Sequence, residues 1–396
     1  MNRRKNNLLL WILCGGLWAL TCCTPAAPSA QDPDFAKQLG LGEQYQAFLA
    51  KAPGQIQAIS EAGGKLYFSI RSFVFGPPES HQMAKQGNDG IMVLDLATRA
   101  QKYLYPPSPD TQIKTVISQV AASQEFLAWT EYTLSGGGVV PSGSLIKCMD
   151  LKTNQVRTVK EFDSVGQVPF LTLSDHTLFF DDFIRGEQDT NAPPFNLEGT
   201  VTEFDLDSMK PTKVFSEEGA SLFYPMVEGE RLVYTKYSQN TATAVVWNLS
   251  TQERKEYHYD QSIWEPSLGD GILYVKANPH MVGYGRILKM PLASGVFSPI
   301  LSDDQSTTVG FLGVTPEPTD FAMAWFRTQE YLTLPVYVSK TGRFVALDLH
   351  NTENESYIVR LVGKSAGYLY WAGDLDFDPG PDGGSSISFI AGVYQR

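Results

Sequence analysis

Cysteine is nearly absent beyond residue 23. Cys14, Cys22 and Cys23 crowd the N-terminus, and Cys148 stands alone in the rest of the chain. A single cysteine excludes an internal disulfide. It sits in the apolar stretch Leu145–Asp150 and reads as a small buried hydrophobe rather than a catalytic thiol. Histidine is scarce too. His81, His176, His258, His280 and His350 are scattered, with no pair at metal-ligand spacing. Positive charge is in short supply: Lys plus Arg total 31 against 43 for Asp plus Glu, a formal net charge of -12. An acidic chain without a basic stripe repels phosphate, which excludes nucleic acid as a partner. No long apolar run is present either. Leu8 to Leu20 stops well short of the ~20 residues that a spanning helix needs.

That short apolar run has another use. Arg3, Arg4 and Lys5 precede it, and small residues follow at Ala26 to Ala30, the layout of an export leader. Loss of those three cations takes the charge from -12 to -12 - 3 = -15. Leu20-Thr21-Cys22-Cys23 resembles a bacterial lipoprotein leader, with Cys22 or Cys23 as the lipidated residue. Cleavage by an ordinary signal peptidase among Ala26 to Ala30 is the alternative. Either way residues 1–30 are leader and tether, 31–54 form an N-terminal segment, and 55–396 form the folded unit. A membrane is met only through a lipid anchor, and a monomer is expected.

What the chain has in quantity is strand-forming and turn-forming residues: 12% aromatic, 34 Gly and 24 Pro. A Leu-aromatic marker recurs from Leu66-Tyr67-Phe68 through Leu232-Val233-Tyr234 to Leu369-Tyr370-Trp371, at intervals of roughly 40 to 60 residues. A second marker follows: Asp95-Leu96, Asp150-Leu151, Asp205-Leu206, Asn248-Leu249, Pro291-Leu292 and Asp348-Leu349. The Asp or Asn oxygen can accept N–H groups of a tight turn, which makes these carboxylates turn residues rather than catalytic ones. A third marker is an early proline, as in Val168-Pro169, Tyr224-Pro225 and Glu265-Pro266. Proline lacks an N–H and suits the edge of an innermost strand.

The spacing predicts an all-β chain, a seven-bladed β-propeller with six blades as the alternative. The seventh unit lacks a fourth strand, and part of Gln44 to Ala50 is expected to supply it, a helix there being the other reading. The inner-strand proline, the Leu-aromatic strand and the Asp-Leu-x-Thr turn resemble TolB-like and WD-related bacterial propellers over about residues 55 to 394.

In such a ring the connections between second and third strands are long here: Phe73 to Asp89, Tyr132 to Gly143, Asp181 to Gly199, Asn278 to Gly285 and Asp374 to Ser385. Function is expected on the face that carries them. Two residues past each aromatic marker stand Ile70, Glu131, Asp182, Lys236, Lys276, Arg327 and Gly373. These charges read either as a mouth with an acidic and a basic half or as ion pairs between blades. Phe223, Tyr224 and Trp264 open their inner strands beside Glu265, where they either stack on a ligand or pack in the core. His280 lies in a long loop.

Two motifs carry less. Asp374, Asp376 and Asp378 alternate like a Ca²⁺ loop, but Pro379 stands where a Gly is required. Gly363-Lys364-Ser365-Ala366-Gly367 matches a nucleophile motif, but lies in a hairpin rather than at a strand-to-helix elbow. No cofactor is expected. The expectation is an exported, membrane-anchored propeller that binds a protein, peptide or glycan through its long-loop face. The alternative is a lyase or hydrolase at the central mouth.

Overall fold

The computed structural model describes residues 34–74, 85–109, 114–134, 143–162, 168–185, 197–269, 271–278, 286–300, 308–310, 322–323, 325–327, 333–338, 341–348, 357–365, 367–375 and 388–395. A short helix, α1 (Phe35–Gln38), leads into strand β1 (Tyr45–Ala52). Five four-stranded antiparallel sheets follow in chain order. Blade one is β2 (Gln55–Ala62), β3 (Lys65–Val74), β4 (Lys85–Asp95) and β5 (Gln101–Tyr105). Blade two is β6 (Lys114–Ala122), β7 (Phe126–Leu134), β8 (Gly143–Asp150) and β9 (Gln155–Phe162). Blade three is β10 (Leu171–Ser174), β11 (Thr177–Arg185), β12 (Leu197–Asp205) and β13 (Lys210–Glu218). Blade four is β14 (Ser221–Glu228), β15 (Arg231–Ser238), β16 (Thr241–Asn248) and β17 (Arg254–Tyr257). Blade five is β18 (Ile263–Gly269), β19 (Ile272–Ala277), β20 (Arg286–Pro291) and β21 (Ser298–Pro299).

The next stretch departs from this plan. β22 (Thr308–Gly310) pairs with β24 (Trp325–Arg327), while β23 (Ala322–Met323), β25 (Thr333–Val338) and β26 (Arg343–Asp348) make a separate three-stranded sheet. The closing blade is β27 (Tyr357–Ser365), β28 (Tyr368–Leu375) and β29 (Ser388–Gln395), completed by β1. The register runs from Tyr45 opposite Gln395 to Ala52 opposite Ser388. The expected fourth strand from the N-terminal segment is therefore present, and the bare edge of β29 is removed.

Among the described residues the fold is a propeller with six four-stranded blades, the smaller of the two counts that the repeat allowed. The blade expected around Met323-Ala324-Trp325 is divided between the two smaller sheets. Ala322 faces Tyr337 and Met323 faces Val336 in the three-stranded sheet, while Trp325 faces Gly310 in the other. The three-stranded sheet still serves the ring. Val336, Val338 and Leu347 share a core with Phe35, Trp371 and Phe389, and Tyr337 meets blade five at Tyr274.

First strands of successive blades approach one another: β2 lies against β6 and β27, and β14 against β10 and β18. They are the innermost strands, and the core is divided among the joints between blades. Trp129, Ile117 and Tyr67 fill the joint of blades one and two; Phe179, Tyr234 and Leu222 fill that of three and four. Each fully buried side chain of this size contributes about 1.5–3 kcal/mol. Among the described residues no helix is long and apolar enough to cross a membrane.

The second marker now has its physical account. Asp95 Oδ1 accepts the N–H groups of Ala97 and Thr98 at 3.1 and 2.8 Å. Asp150 does the same for Lys152 and Thr153, and Asn248 for Ser250 and Thr251. The turn then places Arg99, Asn154, Met209 and Gln252 at φ between 55 and 61°. The following Leu ties the turn to its neighbour. Its N–H bonds to Gly64 O from Leu96, Glu125 O from Leu151, His176 O from Leu206, Glu230 O from Leu249 and Gly271 O from Leu292. Both short turns of blades one to five are thus latched together on one face. In blade five Pro291 replaces the acceptor, and Gly295 takes the left-handed position at φ 65°, where glycine pays no steric cost.

Candidate functional site

The opposite end of the innermost strands is built on bulges. In β2 one residue, Gln57, is extra, because Ile56 faces Ile70 while Ala58 faces Ser69. Ser118 is extra in β6 and Arg360 in β27. In β14 the ladder jumps from Phe223 to Met226, and in β18 from Trp264 to Ser267. The bulged pairs are Tyr224-Pro225 and Glu265-Pro266. Tyr224 and Glu265 have φ of 57 and 50°, although each carries a side chain and precedes proline. Such positions cost on the order of 1–3 kcal/mol and persist only where surrounding contacts dictate them.

Those contacts come from the neighbouring blade. One residue past the aromatic marker, a short polar side chain reaches the next innermost strand. Ser69 Oγ donates to Ile117 O at 3.1 Å, and Thr130 Oγ1 donates to Pro169 O at 3.0 Å. Asp181 goes further. Its Oδ1 accepts from the Phe170 N–H at 2.8 Å and its Oδ2 from the Tyr224 N–H at 3.2 Å. Asp181 therefore pins the strained bulge of blade four from blade three. Burial pushes its pKa well above the usual carboxylate range, against the pull of those two amides. Thr235, at the same position in blade four, has its hydroxyl buried with no hydrogen-bond partner. Sequence reasoning placed Asp181 at the start of a loop. The available signal was a polar residue directly after the first four aromatic markers, at Ser69, Thr130, Asp181 and Thr235.

The charges two residues past the marker are paired, some across blades and some within one. Glu131 is held inside blade two by Lys147 at 2.8 Å, with Trp129 Nε1 and the Tyr105 hydroxyl each 3.3 Å away. Burial works against the Lys147 charge, but bonding to Glu131 more than offsets it and its pKa ends above the usual value. Asp182 pairs with Lys160 of blade two. Lys236 pairs across the joint with Glu217 at 3.4 Å and within its own blade with Glu256 at 3.3 Å. Lys276 pairs with Glu265 at 2.8 Å, and both are largely buried. The two-halved charged mouth is corrected accordingly: each of these four charges is neutralised by a partner, as buried charges must be. For Arg327 the structure describes the backbone of β24 only.

The aromatic candidates separate. Trp264 is buried at 3% exposure with its Nε1–H on Asn278 O at 3.1 Å, so it is core rather than a stacking surface. Phe223 and Tyr224 remain half-buried, and Phe170 from the foot of blade three joins them, its ring centroid 4.2 Å from that of Tyr224. Burial raises the Tyr224 pKa, and the charges of Glu265 and Asp181 raise it further. Glu265 Oε2 is buried without a hydrogen-bond partner. Of the sequence-predicted residues, Phe223, Tyr224, Glu265 and Lys276 fall on the first two strands of blades four and five, with Phe170 and Asp181 of blade three added.

Asp374 is the last residue but one of β28, opposite Ser388, while Asp376, Asp378, His280, Cys22 and Cys23 lie outside the described residues. Among the described residues no group of three or more His, Cys, Asp or Glu is arranged to hold a metal ion. The central parts of the long loops also lie outside them. The strands reach further into those loops than expected, β3 to Val74 and β11 to Arg185. Gly363 to Ser365 of the Gly-x-Ser-x-Gly match belong to β27, paired with β28, and not to a strand-to-helix elbow.

No family model matches the chain, and no curated protein does. Solved structures do. The β-propeller domain of the Trilobed protease from Pyrococcus furiosus, described as having an open velcro topology, superposes with a TM-score of 0.52 at 10% identity, over 82% of this chain and 90% of that one. Pyrococcus horikoshii acylaminoacyl peptidase gives 0.53 at 12% identity over 82% of this chain, which spans only 51% of that chain. A chain of the mitotic checkpoint complex gives 0.52 at 10% identity, with 88% and 93% covered. WD40 repeats are also among the similar structures. At these identities the likeness is one of fold.

Proposed function

We propose that the protein is an exported binding propeller, lipid-anchored through Cys22 or Cys23, that holds a protein, peptide or glycan at the mouth of blades three to five. One observation carries the reading. Two neighbouring innermost strands keep non-glycine residues, Tyr224 and Glu265, at positive φ before proline. Strain of this kind concentrates where a surface is shaped for a ligand. The half-buried aromatics Phe170, Phe223 and Tyr224 stand at the same spot. The structural neighbours fit a binding role, since one is a chain of a multi-protein complex. The leader and the repeat pattern suggest kinship with TolB-like propellers, acting as a monomer outside the cytoplasm.

A second reading is a lyase or hydrolase at the same mouth, favoured by the raised pKa values of Asp181 and Tyr224. Against it, both Asp181 oxygens are engaged by backbone amides, which suits a positioning role.

The test uses the full chain expressed in a bacterial host. Radiolabelled palmitate is expected to enter wild type and not the double variant Cys22→Ala, Cys23→Ala; equal labelling of both would sink the anchoring. Affinity capture from envelope extract should then retain partners with wild type and lose them with Tyr224→Asn, a residue tolerated at positive φ. Identical capture by both would move the binding site elsewhere.

A further inference from the structure

Resting on that reading, we propose that the mouth of blades three to five binds a neutral sugar residue, the rings of Phe170 and Tyr224 stacking on its face. Three features select this chemistry over an extended peptide. The first is the edge. A peptide adds to a sheet by continuing an unbroken ladder, and the channel-facing strands β2, β6, β14, β18 and β27 are interrupted by bulges at this level. The second is the platform. Phe170, Phe223 and Tyr224 are half-buried rather than core, and they sit on adjoining blades with ring centroids 4.2 Å apart for Phe170 and Tyr224 and 6.3 Å for Phe223 and Tyr224. Asp181 fixes two of the three, because it accepts the N–H of both Phe170 and Tyr224. An aromatic surface held in place binds a flat apolar ring face at little entropic cost.

The third feature is polar. Glu265 and Lys276 form a close pair at 2.8 Å with no net charge, which gives neither an anionic nor a cationic ligand an advantage. Glu265 Oε2 lacks a hydrogen-bond donor, and the negative charge of Glu265 is felt at the Tyr224 hydroxyl. A ligand hydroxyl seated between the Tyr224 ring and the Glu265 carboxylate supplies that donor, and no proton need be exchanged. Neutral hydroxyls beside an apolar ring face are what a sugar offers and what a peptide backbone lacks.

Saturation-transfer-difference NMR on the full mature chain tests this with cellotetraose, chitotetraose and maltotetraose, alongside a neutral extended tetrapeptide at equal concentration. At least one saccharide is expected to bind. Tyr224→Asn and Phe170→Leu, the latter keeping apolar volume without an aromatic face, should each weaken it about tenfold, or ~1.4 kcal/mol, with unchanged melting temperature. Silence from all three saccharides overturns the proposal, as does saccharide binding that ignores both variants. Binding of the tetrapeptide alone, lost in both variants, also overturns it while leaving the mouth as a binding site. Should the tetrapeptide be silent too and capture from extract ignore Tyr224→Asn, the mouth itself is wrong.

Discussion

At the short-turn end, blades one to four repeat the same set of bonds: an Asp or Asn acceptor, a left-handed residue, and a Leu N–H on the facing turn. At the mouth end the bulge holds Gln57 in blade one, Ser118 in blade two, Tyr224 in blade four, Glu265 in blade five and Arg360 in the closing blade. The backbone device recurs and the side chain differs each time. A ring can close on identical turns, since each needs only to satisfy its own amides. A surface that recognises something needs its blades to differ. The short-turn end therefore carries architecture, and the mouth carries whatever is particular to this protein.

The largest expected effect breaks the mouth end. Asp181→Leu leaves the Phe170 and Tyr224 amides without an acceptor in the core, and should lower stability by about 2–5 kcal/mol, read by urea unfolding. Asp181→Asn keeps one acceptor and should cost less. At the turn end, Asn248→Ala removes an acceptor shared by two turn amides and should cost ~1 kcal/mol in the same experiment. Glycine sharpens the contrast. Gln252→Gly relieves a left-handed turn residue and should be neutral or stabilise by up to about 1 kcal/mol, whereas Tyr224→Gly relieves the same strain but gives up the ring contact with Phe170, so its melting temperature should stay near wild type and its loss should appear in binding.

Acidity should act on the two ends in opposite senses. Turn amides hold Asp95, Asp150 and Asp205 below the usual carboxylate pKa, so their contribution is present above ~3.9 and is lost as pH falls through the lowered values. Burial holds Asp181 and Asp89 above it, so theirs is complete below ~3.9 and fades as pH rises through the raised values. Melting curves from about pH 4 upward should therefore show wild type losing ground relative to Asp181→Asn. The smallest effect is at His176. Its bond to Asp207 at 2.7 Å, opposed by slight desolvation and aided by Glu125, raises its pKa. Its ring should titrate by NMR above the free value of ~6.5, and move towards that value in Asp207→Asn.

Much of the turn end was legible in the sequence, because Asp-Leu-x-Thr is a local device whose partners lie within a few residues. Strand closure by Tyr45–Ala52 was legible for a related reason: a last unit one strand short must borrow one. The mouth was only half legible. Tyr224, Glu265 and Lys276 were picked out by position, but proline normally steers its predecessor away from positive φ, so the strained bulges had no local signature. Trp264 looked like a stacking surface and is core, because its N–H finds Asn278 O in the fold. Whether Asp182 pairs across blades, Lys236 both across and within, and Glu131 and Lys276 within depends on side chains 11 to 22 residues away. The choice between seven and six blades was not legible, because the pairing of the unit around Met323 shows only once the register is known.

The most direct measurement places two sets of variants side by side in one binding assay, saccharide and extract capture together. Phe170→Leu and Tyr224→Asn represent the mouth; Asn248→Ala and Ser250→Ala represent the turns. The mouth set should lose binding at unchanged melting temperature, and the turn set should lose melting temperature at unchanged binding. Binding lost from the turn set and kept by the mouth set would contradict the account.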